Sequence, residues 1–151
     1  MKLSWSYNRF DELSNYKLYE ILRLRIEIFM IEQECLYSEC DNKDYDGLHL
    51  LGYDEDNELV AYTRILPAGF RFEEASIGRV AISKKGRGKG LAREMMIKAI
   101  DHITNTMRQN EIRISAQEYL LKFYQDLGFK IVSDIYSEDG IPHAEMLFTK
   151  K

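Results

Sequence analysis

Thiols are scarce: Cys35 and Cys40 are the only cysteines among 151 residues. A bridge between them would close a very small loop, and so sparse a set suits a reducing compartment, so both are read as free. No run of about 18 apolar residues occurs, which excludes a membrane-spanning helix. The opening residues MKLSWSYN lack the apolar core of a secretion signal, and the expected location is the cytoplasm. Positive charge is also short. Lysine and arginine number 21 against 25 acids, a formal net charge of -4, whereas general nucleic-acid binders present a basic domain. Metal patterns fail as well. Asn42-Lys43-Asp44-Tyr45-Asp46-Gly47 mimics the start of a calcium loop, but the twelfth position, where a bidentate Glu belongs, is Tyr53. Cys35, Cys40 and His49 lack a fourth ligand and zinc-like spacing, so no metal is expected. With no repeat, low-complexity tract or linker, and 45% apolar residues, the expectation is one domain over 1–151. Such a chain buries roughly 68–70% of its unfolded surface.

What the chain does have is concentrated in Ile77 to Ala92, IGRVAISKKGRGKGLA. Ile77, Val80, Ala81 and Ile82 predict a strand, Lys84 to Gly90 a basic glycine-rich turn, and Met95, Ala99, Ile103 and Met107 a helix opening at Leu91. Glycines at 86, 88 and 90 allow positive φ and close backbone approach, while the first N–H groups of the helix point back at the turn. Together these make an anion site, to which the helix dipole adds roughly 0.3–2 kcal/mol. A Walker loop is excluded, because Gly86 is followed by Arg87-Gly88 and no Ser or Thr follows Lys89. The glycine spacing also fails the dinucleotide fingerprint. The plain alternative is a solvated basic loop before an ordinary helix.

Along the rest of the chain, Leu3, Trp5 and Tyr7 alternate with polar residues as in a half-buried strand. Asp11 or Ser14 caps a helix carrying Leu18, Ile21, Leu22 and Phe29, although Leu22 to Ile28 also fits the period of a strand. The acidic segment Glu32 to Asp46 reads as a solvated loop or as the cation-attracting rim of a site. Two strands, Leu48 to Tyr53 and Leu59 to Leu66, form a hairpin. Pro67 to Gly69 break the chain before a strand from Phe70 to Ile82. The helix from Leu91 to about Arg108 precedes a strand at Ile112 and Ile114, and a second helix spans Gln117 to Leu127. Gly128 ends that helix, Phe129 to Ile135 is read as a strand, Ser137 to Gly140 as a turn, and Ala144 to Phe148 as the last strand. The order is α+β, an α/β three-layer arrangement with helices flanking a mixed sheet.

Two motifs in this order carry a resemblance. Arg87-Gly88-Lys89-Gly90-Leu91-Ala92 resembles the Arg/Gln-x-x-Gly-x-Gly/Ala loop of the GCN5-related N-acetyltransferases, the GNAT family, and Phe123 to Phe129 resembles their LYxxxGF segment. Phe29, Glu32-Gln33, Ser115-Ala116-Gln117 and Glu138 to His143 are similar to the ElaA-like branch. The resemblance covers essentially the whole chain. It implies a mostly antiparallel mixed sheet, acetyl-CoA as cosubstrate and a small-molecule or peptide amine as acceptor.

By the same resemblance, backbone N–H groups of Gly88, Lys89, Gly90 and Ala92 hold the CoA diphosphate, with Arg87 and Leu91 in the same loop. Val80, Ala81 and Ile82 pair with pantetheine, and Gln117 falls where the family often carries an Asn on that arm. Tyr124 is expected to protonate the departing thiolate, or else is simply a core aromatic. The position at which some members carry a basic Glu reads Ser76, leaving His143 and then Glu32 as candidate bases. Arg25, Arg64 and Arg79 either pair with neighbouring acids, the favoured expectation, or bind an anionic group. The acidic segment favours a cationic acceptor such as a polyamine, amino sugar or lysine side chain. Two other readings stay open: a non-catalytic sensor of acetyl-CoA or acyl-CoA, and a nucleotide-binding regulatory domain. A homodimer is the expectation for a small cytosolic enzyme.

Overall fold

Strand β1, Ser4–Arg9, forms one edge of the sheet in the computed structural model, which describes residues 1–151. The hairpin of β2 (Leu48–Tyr53) and β3 (Leu59–Leu66) follows the expected bounds. Next come β4 (Ala75–Ile82), β5 (Glu111–Gln117), β6 (Lys130–Ile131), β7 (Tyr136–Glu138) and β8 (Ile141–Thr149). The sheet order is β1-β2-β3-β4-β5-β8-β6, with β7 pairing β8. Every pairing is antiparallel except β4 with β5, the two strands that bracket the long helix α2 (Leu91–Asp101). A parallel pair needs such a crossover, so the mixed character of the sheet follows from where α2 sits.

Helix α1 (Asn15–Arg25) settles the period ambiguity of Leu22 to Ile28. Ser14 Oγ accepts from Lys17 N–H at 3.1 Å, capping the helix, and Ile26–Glu32 continue it in wider turns. On this face Ile21 and Leu24 pack against Leu51, Tyr62 and Ala81. On the other face α2 and the wider turn His102–Thr106 that continues it present Leu91, Met95, Ala99 and Ile103, four residues apart, to Leu50, Ile65 and Ile112. Adjacent Leu50 and Leu51 thus serve opposite layers, as strand alternation demands. Helix α3 (Leu121–Asp126) is shorter than expected, because Gln117 is still in β5 and Glu118–Leu120 form one tight turn. It stops where the glycine signal put it. Gly128 has φ +105°, its N–H reaches Gln125 O, and Phe129 N–H reaches Tyr124 O, the double bond of a Schellman cap.

Three strand expectations need correction. β4 begins at Ala75 and not at Phe70, because residues 70–74 bend and Glu74 is held by Arg113. Phe129 is core, and only Lys130–Ile131 pair beyond it. The last strand starts at Ile141, since Asp139 (φ +52°) and Gly140 (φ +81°) make a tight two-residue turn that lets β7 and β8 pair directly.

The acidic segment is solvated only in part: Glu32, Glu34 and Asp46 are exposed, while Glu39, Asp41 and Asp44 turn inward. Arg25 donates to Glu39 and, at 2.7 Å, to Asp44, while Arg64 reaches Asp44 at 2.9 Å and both oxygens of Asp41. Arg25 and Arg64 are fully buried. His49 Nε2–H donates to Asp44 O and its Nδ1 accepts from Tyr62, an arrangement of neutral imidazole that agrees with burial pushing its pKa down. Breaking a buried ion network by removing one partner is costly, so Arg64→Ala lowers the unfolding free energy by about 3–5 kcal/mol in urea. Burial alone would raise the Asp41 and Asp44 carboxyls, yet Arg25 and Arg64 hold Asp44, and Arg64 and Arg79 hold Asp41, below the ordinary range. Their stabilisation is therefore complete above the unfolded carboxyl value near about 4 and is lost as pH falls through the lower folded values. The same titration repeated at about pH 3 accordingly shows a smaller cost for Arg64→Ala; an equal cost at both pH values would show that the carboxylates contribute nothing.

Candidate active site

Register along β3 and β4 breaks at one place. Tyr62 faces Ala81 and Arg64 faces Gly78, so Arg79 and Val80 together oppose the single residue Thr63. This is a bulge, and Arg79 takes the left-handed backbone, φ +54°, that a non-glycine residue adopts at a cost of about 1–3 kcal/mol. Thr63 Oγ1 donates to Gly78 O at 2.8 Å across the break. A bulge bends its strand, and β4 pairs with β5 only at Ala75–Ile112 and Ser76–Arg113 before the two separate. Ser76 therefore lies in the zipped, buried portion and not in the opening.

The gap beyond it is a cleft with about 770 Å³ of open space, mouth included. Gly78, Arg79 and Val80 form one wall, and Ile114, Ser115 and Gln117 of β5 with His143 of β8 form the other. Tyr124 comes up from α3, its ring edge-on to Phe129 in the core and its hydroxyl bonded to no protein group. Burial pushes its phenol above the ordinary value, so it keeps its proton at neutral pH. Gln117 donates weakly to Gln33 at 3.4 Å.

His143 is paired through the backbone with both Gln117 and Tyr136. Its Nδ1 lies 2.7 Å from Ile141 O, which can only accept, so Nδ1 carries the hydrogen and the lone pair of the neutral ring sits on Nε2. That Nε2 faces Glu138 at 3.4 Å. Glu138 in turn accepts from Arg71 at 2.7 Å and from Ser115 at 3.0 Å.

At the other end of β4, the glycine turn divides into two kinds of glycine. Gly86 is buried, and a Cβ there would overlap Val60 Cγ1 and crowd Leu91 and Ile82. Gly88 and Gly90, at φ +74° and +73°, look onto open space, with nothing within 4 Å of an added Cβ. Gly90 is the N-cap of α2, and the N–H groups of residues 88–92 donate to no protein acceptor. Bare amides, open space and a helix N-terminus are the parts of a diphosphate cradle, and it adjoins the cleft through β4.

A sequence model of the acetyltransferase (GNAT) domain matches residues 18–150. The chain belongs to the GNAT family. Members use acetyl-CoA, and the cradle and cleft fit such a ligand on geometry alone. Within the family the chain is ElaA-like. It is 39% identical over 146 residues to protein ElaA of Escherichia coli, covering 95% of each, and its fold matches that protein's crystal structure with a TM-score of 0.89. A UPF0039 protein of Synechocystis is 39% identical over 148 residues, 98% of this chain and 96% of that one. The crystal structure of an acyl-CoA N-acyltransferase from Pseudomonas aeruginosa, 34% identical, covers 98% of this chain and 100% of its own, with a TM-score of 0.92.

Within this GNAT framework the remaining sequence candidates fall in different places. Glu32 does not line the cleft. It is a partly exposed carboxylate that pairs with Arg87 at 2.8 Å, and the hydrogen bond from Arg87 holds its carboxyl below the ordinary range. Arg87, though partly exposed, is therefore engaged, with a further bond from Nε to Ile82 O. Lys89 bonds Lys85 O, and Lys85 is taken up by Asp54, Asp56 and Glu58 of the β2–β3 turn. Arg25 and Arg64 are spent in the buried network, and Glu39, Asp41 and Asp44 with them, which leaves Glu34 and Asp46 as the exposed, unpaired acids of the segment. Cys35 and Cys40 are free; Cys35 lines the cleft and lies 3.4 Å from Asp139 O. Sequence reasoning missed Arg71, because it sits in the stretch misread as strand. It also gave Glu138 and Ser115 no role beyond family likeness, their meeting being a product of the β7–β8 hairpin.

Proposed function

We propose that this chain, acting in the cytoplasm as one GNAT domain over residues 1–151, moves the acetyl group of acetyl-CoA directly to a primary amine. The observation that carries the reading is Tyr124: a proton-bearing hydroxyl, free of protein partners, in the cleft where β4 and β5 part. A mere acyl-CoA sensor has no use for such a group. Acetyl-CoA supplies the acetyl thioester. Amides of Gly88, Lys89, Gly90, Leu91 and Ala92 hold its diphosphate, with Arg87 exchanging part of its grip on Glu32 for phosphate. The edge of β4 at Val80, Ala81 and Ile82, which β5 leaves unpaired, pairs with the pantetheine arm, and Gln117 contacts it from the opposite wall.

As the amine nitrogen bonds the carbonyl carbon and the carbon–sulfur bond breaks, Tyr124 gives its proton to sulfur. His143 Nε2 accepts the proton leaving nitrogen, and the Glu138 carboxylate facing it stabilises the imidazolium. Glu32, outside the cleft and held by Arg87, is not given the base role here.

Tyr124→Phe lowers kcat by about 10²- to 10⁴-fold with acetyl-CoA affinity within about threefold of wild type; undiminished thiol release by that variant removes the acid assignment. Gly90→Val puts a branched side chain into the cradle and weakens acetyl-CoA binding by about tenfold or more in calorimetry. Gly69→Val, at φ +89° with equally open surroundings, bears the same backbone strain and leaves coenzyme affinity alone. Equal effects at both glycines would mean strain and not occupancy. His143→Gln lowers kcat by about 10²-fold or more with acetyl-CoA affinity unchanged; undiminished turnover assigns the base elsewhere.

A further inference from the structure

The cleft carries guanidinium donors that the transfer reading does not use. Of its charged lining groups, Arg71 and Arg79 are cations on one wall, and Glu138 and Asp139 are carboxylates at the β7–β8 turn. Glu138 takes its bonds from Arg71 and Ser115 on Oε1, and its Oε2 faces His143. The guanidiniums are not saturated. Arg79 spends Nε and Nη2 on Glu39 and Asp41, leaving Nη1 free, and Arg71 bonds through Nη2 alone.

Both stand on the same wall. Arg79 follows Gly78, and Arg71 Nη1 lies 4.0 Å from where a Cβ on Gly78 would be, the only atom within that range. Glycine at 78 thus leaves a clear floor between two sets of unused guanidinium donors. Arg79 is fixed there by its strained backbone, by Glu39 behind it and by the Tyr37 ring 5.6 Å from its Cζ. Two guanidiniums that each keep a free N–H suit the two oxygens of a carboxylate. The opposite wall holds His143, Gln117 and Tyr124, where an amine reacts.

Resting on the transfer reading above, we infer that the acceptor is an amino acid-type small molecule, a primary amine that also bears a carboxylate, with Arg71 and Arg79 holding the carboxylate. Both arginines are specificity residues. A polyamine could reach Glu138 and Asp139 but would leave these guanidinium donors unused and be repelled by the wall that an amino acid uses.

The test uses the purified chain, acetyl-CoA and a thiol reagent, with acceptors in matched pairs: amino acids, including β-alanine and γ-aminobutyrate, against the same amines lacking the carboxylate, and spermidine as the cationic extreme. At least one acid exceeds its decarboxylated partner in kcat/KM by about tenfold or more. Arg71→Gln raises KM for that acid by about tenfold and cuts its advantage to about threefold or less, whereas Arg71→Lys, which keeps the charge without the fork, falls between. Should decarboxylated amines or spermidine match or surpass the acids, the inference is overturned while the transfer reading stands. Should no acceptor release thiol, the transfer reading falls and takes this inference with it.

Discussion

The whole site depends on one extra residue in β4. Because Arg79 and Val80 share a single partner in β3, the strand bends after two pairings with β5, and the sheet opens in its middle and not at an edge. An opening made this way has backbone on its walls, anchored by full ladders on either side. It also points the glycine turn and the N-terminus of α2 toward one end of the gap, while the β7–β8 hairpin closes on the other. The bare-amide turn, the Tyr124 hydroxyl and the wall of Gly78 and Arg79 are thus brought to one gap by a single register shift.

Holding a left-handed arginine in the middle of a sheet requires compensation. The buried network supplies it: Arg25 positions Glu39, Glu39 grips Arg79, and Arg64 ties Asp41 and Asp44 to the same segment. With no disulfide, ionic contacts fasten the 33–46 segment over the sheet. Ion networks of this sort contribute geometry more reliably than net stability, since hydrophobic replacements of equal volume often match them. Here the geometry is that of the cleft, which Tyr37 and Cys35 from that segment also line.

Local signals were legible where they act locally. The Ser14 cap, the β2–β3 hairpin, the Gly128 helix stop and the glycine turn before α2 each rest on a few adjacent residues, and each stands where the chain pattern put it. The cleft lining was half legible: Tyr124, Gln117, Val80 and His143, each singled out in the chain, line one cleft, while Glu32 lies outside. What the sequence hid is tertiary. Nothing near Arg71 announces that its loop folds over Gly78, and the run of acids from Glu32 to Asp46 reads as solvated until Arg25 and Arg64 are seen beneath it. Charge counted along a chain says little about charge presented to a ligand.

The two kinds of glycine in the turn after β4 answer to different pressures. Gly86 is locked by Val60, so a library of variants screened for folding alone will keep it. Gly88 and Gly90 border open space, and such a screen punishes them only for backbone strain. A descendant that had lost its coenzyme but kept its fold would retain the first glycine and let the other two drift, and the pattern of that drift would date the loss of chemistry from sequence alone.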